Sequence, residues 1–265
     1  MSKFGFIGAG EMGGSIIRGF LKIGVLKEDI LASVRTEESA QRIQAELGIC
    51  AYTDNVRVAK EADVLFLAVK PAQMASVLTE IIQGGISPKP LVSMALGWSV
   101  EKIHAILPHW PVARIMPNTP LALGEGVTLF HFSREMESPC RAQIRALFEK
   151  MGKTFEISPD LFDVATALSG SGPAFVYAFI DALAKATAAQ GVPLETATQL
   201  AVQTVIGAAN MVASEKISPA QLVQKVATPG GCTAAGMDIL KNSDFEKIIA
   251  GTLLATANRA REVGK

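Results

Sequence analysis

The sequence has no excess of charge of either sign: 25 lysines and arginines stand against 25 aspartates and glutamates in 265 residues. A partner recognised through its phosphate backbone calls for a basic field, so the balance argues against a general nucleic-acid binder. Aromatic residues are scarce, 6% of the chain where hydrophobic residues make up 49%, and the interior is therefore expected to rest mainly on aliphatic side chains and alanine. Only three cysteines occur, Cys50, Cys140 and Cys232. They are far apart, form no C-x-x-C pair and have no histidine at ligand spacing, so neither a zinc site nor a disulfide framework is supported. No metal is expected, and each thiol reads as a small buried hydrophobe or an idle group. No uninterrupted apolar run reaches the roughly 18 residues of a membrane-crossing helix. Lys3 does precede an apolar stretch, but Glu11 and Arg18 interrupt it, and five glycines between Gly5 and Gly14 spoil the helix of a signal peptide. The resulting expectation is a soluble, cytoplasmic protein.

Familiar catalytic signatures are missing as well. There is no G-x-S-x-G, no H-E-x-x-H and no P-loop lysine. Of the three histidines, His104 and His109 flank a proline-containing loop and His131 falls in a strand pattern, and none stands out as a general base. Chemistry in this chain must then be carried largely by a cofactor, with the protein supplying position and electrostatics.

What is present begins with an alternation. A length of 265 residues allows one large domain or two modest ones at roughly 100 to 200 residues per domain. Short apolar runs at Phe4 to Ile7, Ile30 to Val34, Val64 to Val69, Leu91 to Met94, Val112 to Met116, Val127 to Phe132 and Thr154 to Ile157 read as strands. Helical patterns lie between several of them, at Glu37 to Leu47, Met74 to Ile82, Val100 to Leu107 and Arg141 to Lys150, which is the signature of βα units around a mostly parallel sheet. After Ser158-Pro159 the texture changes. Residues 160–265 hold 22 of the 38 alanines and show no further alternation, and helices are predicted over Phe175 to Gln190, Leu194 to Ser214, Ala220 to Val226 and Phe245 to Glu262. The expected division is an α/β domain over residues 1–158 and an all-helical domain over residues 159–265.

Gly8-Ala9-Gly10-Glu11-Met12-Gly13 fits G-x-G-x-x-G, and it directly follows a strand and opens a helix, the context in which that string marks a dinucleotide site. Gly8 permits the tight turn, Gly10 admits a pyrophosphate close to the backbone, and Gly13 lets helix and strand approach, with the anion at the helix N-terminus. An NAD-preferring site places an acid at the end of the second strand; here that strand ends Ser33-Val34-Arg35. A hydroxyl and a guanidinium complement a 2′-phosphate, so NADP(H) is expected, with NAD(H) possible. Two more strands end in candidate cofactor loops, Lys70-Pro71 and Pro117-Asn118-Thr119-Pro120, where prolines hold the backbone extended and Asn118 could contact the nicotinamide end. In the helical half, Gly230-Gly231-Cys232-Thr233 precedes a helix and presents amides and a hydroxyl suited to a carboxylate. A helix–helix turn capped by threonine is the alternative.

Taken together, five stretches resemble the pyrroline-5-carboxylate reductase family, in that family's order and over essentially the whole chain. They are Phe6 to Met12, Ala68 to Pro71, Met116 to Pro120, Leu168 to Ala174 and Thr228 to Thr233. The first is generic to dinucleotide binders, whereas the last two are specific. The resemblance implies a Rossmann-type domain followed by an all-α dimerisation domain of the 6-phosphogluconate dehydrogenase C-terminal-like kind. It also implies homodimers, often assembled into rings, and NAD(P)H-dependent reduction of 1-pyrroline-5-carboxylate to proline. By family position, Ser33, Arg35 and Asn55 look like ribose and 2′-phosphate contacts, and Ala68, Val69, Lys70 and Pro71 like backbone contacts to the cofactor. Gly230, Gly231, Cys232 and Thr233 look like the substrate site, with Glu215 a family acid near it and Thr233 the group that bonds the ring nitrogen. A β-hydroxyacid dehydrogenase shares the two-part plan, but the lysine that family requires after a G-x-G falls here on Val176. A non-catalytic NADP(H)-binding dimer would not need a second anion loop.

Overall fold

The structure, a computed structural model, describes residues 2–263. The sheet half runs β1 (Phe4–Ile7), α1 (Glu11–Lys22), β2 (Ile30–Ser33), α2 (Glu37–Leu47), β3 (Cys50–Tyr52), α3 (Asn55–Glu61), β4 (Val64–Leu67), α4 (Met74–Gln83), β5 (Leu91–Ser93) and α5 (Val100–His104). It continues with β6 (Val112–Pro117), β7 (Gly126–Phe132), α6 (Ser138–Glu149), β8 (Gly152–Glu156) and α7 (Phe162–Ser169). The remainder is helical: α8 (Gly172–Ala188), α9 (Leu194–Ser214), α10 (Pro219–Val226), α11 (Cys232–Lys241) and α12 (Phe245–Val263).

The eight strands form one sheet in the order β3-β2-β1-β4-β5-β6-β7-β8. All neighbours are parallel except β6 and β7, which are antiparallel. The first six strands thus follow the doubly wound dinucleotide-binding order, in which chain direction across the sheet reverses between β1 and β4. Strands β1, β2, β4 and β5 are buried along their whole length, which is why they read as continuous apolar runs instead of alternating ones. Helix ends follow local chemistry. Thr36 caps α2 by accepting from the Ser39 amide at 3.2 Å, and Gly48 ends it at φ 68°, a left-handed conformation in which glycine is favoured.

Two elements owe more to their neighbours than to an apolar pattern of their own. β3 is a three-residue edge strand, Cys-Ala-Tyr, fixed by pairing with β2. α3, with the polar sequence NVRVAKE, is held by Asp54 accepting from the Arg57 amide at 2.9 Å and by Lys89, whose Nζ donates to the Ala59 and Ala62 carbonyls. Partial burial there pushes the Lys89 pKa below the ordinary lysine value.

The core has two chemically distinct halves. One packs Phe4, Phe6, Phe20, Phe66, Phe130 and Phe148 into edge-to-face and stacked contacts. Such pairs add about 0.5–1.5 kcal/mol each beyond the area they bury. The other is mainly aliphatic, built on residues such as Leu65, Leu67, Leu78, Ile81 and Ile103, with Trp110 buried in it and Tyr52 and Trp98 packed against it. The scarce aromatics are therefore concentrated, which the expectation of a mainly aliphatic interior did not anticipate.

The division at 158/159 marks the end of the sheet, but the compact units divide later. One runs to Ser171 and takes back the chain from Ala255 onward; the other is Gly172–Leu254. The cause is α7, which is tied to β6. Phe162 is fully buried, Arg114 Nη2 donates to Asp163 Oδ1 at 2.8 Å, and the same guanidinium lies 4.0 Å over the Phe162 ring.

In the second unit α8 packs along α9, and the side chains these two helices bury are alanines: Ala184, Ala197 and Ala201. Their large apolar residues, among them Tyr177, Phe179, Leu200 and Ile206, face outward. Against the expectation drawn from uninterrupted runs, Phe162–Ala188 is long and apolar enough by length and composition to cross a membrane. It divides into α7 and α8 around Gly170 and Ser171.

Asp163→Ala would leave the Arg114 charge buried without its partner. Because Asp163 is itself partly exposed, we expect the lower end of the cost of breaking a buried pair, about 3 kcal/mol. Chemical denaturation reads this directly, and an unchanged midpoint would mean that the pair does not hold α7.

Candidate functional site

The β1–α1 turn, the end of β2 and the end of β4 converge on a cleft of about 790 Å³, at the carboxyl edge of the sheet where the strand order reverses. Its glycines divide by task. Gly8 sits at φ +94°, and a Cβ there would come within 2.7 Å of the Ala68 carbonyl oxygen. A Cβ on Gly13 would collide with the Gly8 carbonyl oxygen. Both positions are closed by protein. Gly10, by contrast, has nothing within 4 Å of its missing Cβ, and as the N-cap of α1 it provides no side-chain acceptor for the amides of the first turn. An open volume beside uncapped helix amides fits a pyrophosphate.

At the other end of the cleft, Ser33 is buried and Arg35 exposed, and both line it. Thr36, Ser39 and Arg42 line it too; they occupy the N-cap and first turns of α2. Two guanidiniums beside a helix N-terminus complement a dianionic phosphate. Arg42 escaped the motif reading, although its place one turn after Ser39 on a helix capped by Thr36 was a usable signal. Asn55 also lines the cleft, accepting from Ser33 Oγ at 2.7 Å through Oδ1 and donating to Glu80 Oε2 at 2.7 Å through Nδ2.

Of the expected cofactor residues, Gly8, Ala9, Gly10, Ser33, Arg35, Asn55, Ala68, Val69 and Lys70 line this cleft, and Glu11, Met12, Gly13, Pro71 and Asn118 do not. Met12 packs against the core. Pro71 accepts from Trp98 Nε1 at 3.0 Å through its carbonyl. Asn118 is the clear departure. It was expected at the nicotinamide end, yet it is buried, donates through Nδ2 to the Ser169 carbonyl at 2.8 Å and accepts from the Val127 amide at 2.8 Å. The structure uses its amide to join β6, β7 and the end of α7, a task that a polar residue between two prolines does not disclose.

The second unit contains the other expected site. Gly230 turns the chain at φ +76°, and a Cβ on Gly231 would meet Thr228 Oγ1 at 2.9 Å. Gly231 is the N-cap of α11 and no side chain caps that helix, so the alternative of a turn capped by threonine is not what forms. Cys232 and Thr233 are exposed in the first turn. Glu215 ends α9, and its carboxylate lies 3.7 Å from Lys225 Nζ; among the described residues no hydrogen bond joins it to the loop. No group of His, Cys, Asp and Glu among the described residues could hold a metal.

Comparison with known proteins adds the following. Residues 159–263 match the family model for pyrroline-5-carboxylate reductase dimerisation, and residues 3–97 match that for coenzyme F420-dependent NADP oxidoreductases. The pyrroline-5-carboxylate reductase of Arabidopsis thaliana is 35% identical over 264 residues, covering 99% of this chain and 96% of its own. Among solved structures, a pyrroline-5-carboxylate reductase from Coxiella burnetii superposes with a TM-score of 0.91 at 31% identity, covering 100% of this chain and 99% of its own. The pyrroline carboxylate reductase of Plasmodium falciparum, solved with NADP bound, superposes at 0.90 with 27% identity, covering 100% and 98%.

Gly10→Ala and Gly13→Ala should separate ligand binding from folding. The first should keep the melting behaviour, within the roughly 1 kcal/mol that an N-cap change costs, while weakening dinucleotide binding about tenfold or more. The second should lower the melting temperature, because backbone lies where its methyl would go. Thermal melts with and without nucleotide check both, and the reverse pattern would reassign the two glycines.

Proposed function

The chain belongs to the pyrroline-5-carboxylate reductase family, and on that premise we propose how its residues carry out the reduction of 1-pyrroline-5-carboxylate to proline, the last step of proline synthesis, with NADPH. The observation that carries this reading is full-length similarity to named reductases; the cleft of the first unit and the uncapped Gly230 to Thr233 loop of the second support it as candidate anion sites. The bound nicotinamide cofactor supplies the hydride. Gly8 to Gly10 and the first turn of α1 hold its pyrophosphate, while Arg35 and Arg42 hold the 2′-phosphate, with NADH also accepted. The amides of Gly230, Gly231 and Cys232 bind the substrate carboxylate, and Glu215 stands among the substrate residues.

The chemistry needs little from the protein beyond placement. A cyclic imine is readily protonated on nitrogen, and the iminium then accepts hydride at the imine carbon, C2 of the pyrroline ring and Cδ of the proline product, so CH=N becomes CH2–NH with no strong base required. Orientation and charge stabilisation are the terms left for the protein. Thr233 bonds the ring nitrogen and delivers or relays its proton. Coupled oxidation of NADPH on adding 1-pyrroline-5-carboxylate, with no reduction of NADP on adding a 3-hydroxy acid, is the expected result; the opposite pair would overturn the assignment.

The second unit forms a homodimer, and the outward-facing apolar residues of α8 and α9 support that pairing and further association of dimers into a ring. Light scattering on the purified protein reads the assembly, and a monomer at micromolar concentration would contradict it. We place the protein in the cytoplasm. The three cysteines are unpaired, and burial pushes the Cys140 thiol pKa up and so reduces its reactivity; a disulfide found in the native protein would count against that location.

Thr233→Ala should lower kcat/KM for the imine by about tenfold or more, the worth of a hydrogen bond to a charged group. Thr233→Ser should restore most of it, and the Kd for NADPH should not move. A Thr233→Ala enzyme with unaltered kcat and KM removes the threonine from the mechanism.

A further inference from the structure

One wall of the cofactor cleft is furnished almost wholly with hydrogen-bond acceptors. Glu80, near the end of α4, is exposed, lines the cleft and accepts from Asn55 Nδ2 at 2.7 Å. Asn55 lines the cleft as well, so the bond keeps the carboxylate beside it in the wall. A carboxylate has acceptors on both oxygens. Whichever oxygen a ligand meets, the ligand must bring the hydrogen.

The groups around it have the same character. Ser76, one turn earlier on α4, gives its hydroxyl proton to the Gln73 carbonyl at 2.8 Å, and Thr53 gives its own to Glu37 Oε1 at 2.9 Å. Both line the cleft and are left with lone pairs. Asp54 lines it too and caps α3 through Oδ1. The amide donor on this wall, Asn55 Nδ2, is already spent on Glu80. The Gln73 amide stands about two turns back from Glu80, with its oxygen on the Lys70 amide at 3.4 Å.

Which part of the dinucleotide meets this wall follows from the other walls. The start of α1 is taken by the pyrophosphate, and Arg35 and Arg42, after β2 and on α2, by the 2′-phosphate. The wall of α3 and α4 is left for the base on the same ribose. Asn55 also bonds Ser33 Oγ, so two hydrogen bonds of 2.7 Å and the width of one amide separate the carboxylate from the end of β2, an interval comparable to the length of a purine. Val56 and Val77 line the same part of the cleft and offer apolar surface to the faces of a ring.

Resting on the reading of this cleft as a dinucleotide site, we propose that Glu80 is a specificity-determining residue that selects adenine by accepting a hydrogen bond from its 6-amino group. Guanine and hypoxanthine carry an oxygen at position 6, which accepts where adenine donates. That oxygen would face a carboxylate and hydroxyl lone pairs with no proton between them, and opposed acceptors of this kind reject a ligand more strongly than a missing contact does. Recognition in the cleft is then divided: the arginines read the phosphate and Glu80 reads the base.

The test compares NADPH with its deaminated analogue, reduced nicotinamide hypoxanthine dinucleotide phosphate, by nucleotide fluorescence on the full-length protein without substrate. The analogue has an oxygen for the 6-amino group and a hydrogen on N1, and N1–H cannot approach the carboxylate without bringing the oxygen alongside. Wild-type protein should bind NADPH about tenfold more tightly than the analogue, the scale of one hydrogen bond to a charged group. Because Glu80 is exposed, its variants should fold. Glu80→Ala should bring the two dissociation constants within about twofold of each other, and Glu80→Lys, which presents donors only, should favour the analogue. Removing a negative charge near the arginines strengthens both nucleotides alike, so the ratio isolates the contact with the base. Equal affinities in the wild-type protein overturn the proposal. So does a wild-type ratio retained in Glu80→Ala or Glu80→Lys, which would mean that the base is read elsewhere. Failure of the wild-type protein to bind either nucleotide is a different result, and it would refute the cofactor site itself.

Discussion

The close approach of backbone to backbone at the ends of β1 and β4 is the constraint on which the other features depend. Gly8 and Gly13 allow the turn, the first helix and the Ala68 segment to meet with no room for a single methyl group. That contact places the N-terminus of α1 at the edge of the sheet, and the order reversal between β1 and β4 opens the space above it. Loosening it would move the helix amides and the ends of β2 and β4 together, since all are referred to the same few atoms. The phenylalanine cluster has a supporting part in this. Phe6 on β1, Phe20 on α1 and Phe66 on β4 touch one another, so the strand pair and the helix that frame the turn are also fastened in the core beneath it.

Charge neutrality has a related consequence. A chain without a net field cannot draw anionic ligands by long-range attraction alone, so each negative group must be met locally. Uncapped helix starts at Gly10 and Gly231 and two arginines at one corner of the cleft are features of that local kind. Local recognition of this kind is selective by geometry, and it leaves room for a carboxylate such as Glu80 to share the cleft with those arginines.

How much of this could be read beforehand depended on whether a residue's task was set by its neighbours in sequence or in space. The buried parallel strands, α2 with its threonine cap and terminal glycine, and the whole of α9 were legible because apolar pattern and end signals agree locally. The tight turn at Gly8 was legible for the same reason, since it follows from lying directly after a strand. β3 was not, since Cys50-Ala51-Tyr52 becomes a strand only when β2 lies beside it. The placement of α7 with the sheet was hidden because Arg114 and Asp163, 49 residues apart, look like ordinary surface charges in the sequence. The structural part played by Asn118 was hidden for the mirror-image reason: a polar side chain between prolines suggests a ligand, whereas its side chain bonds the Ser169 carbonyl and the Val127 amide. Glu80 gave no signal at all, because the residue it bonds, Asn55, lies 25 positions away.

The absence of a catalytic histidine can now be given a structural form. His104 lies 2.9 Å from the Trp110 carbonyl through Nε2 and 3.7 Å from Glu135, His109 sits in a tight turn at φ 64°, and His131 stands on β7 opposite Arg114. None lines the cofactor cleft. An enzyme that oxidises an alcohol must remove a proton from a hydroxyl of high pKa, and so needs a base held against it. Reduction of an imine runs the other way: the nitrogen gains a proton from a medium that supplies it easily, and the demand on the protein shrinks to holding a carboxylate and a ring in place. A chain of zero net charge, with its histidines away from the cofactor cleft and amide-rich turns at two helix starts, is suited to the second task. The substrate class is thus consistent with what the chain lacks as well as with what it contains.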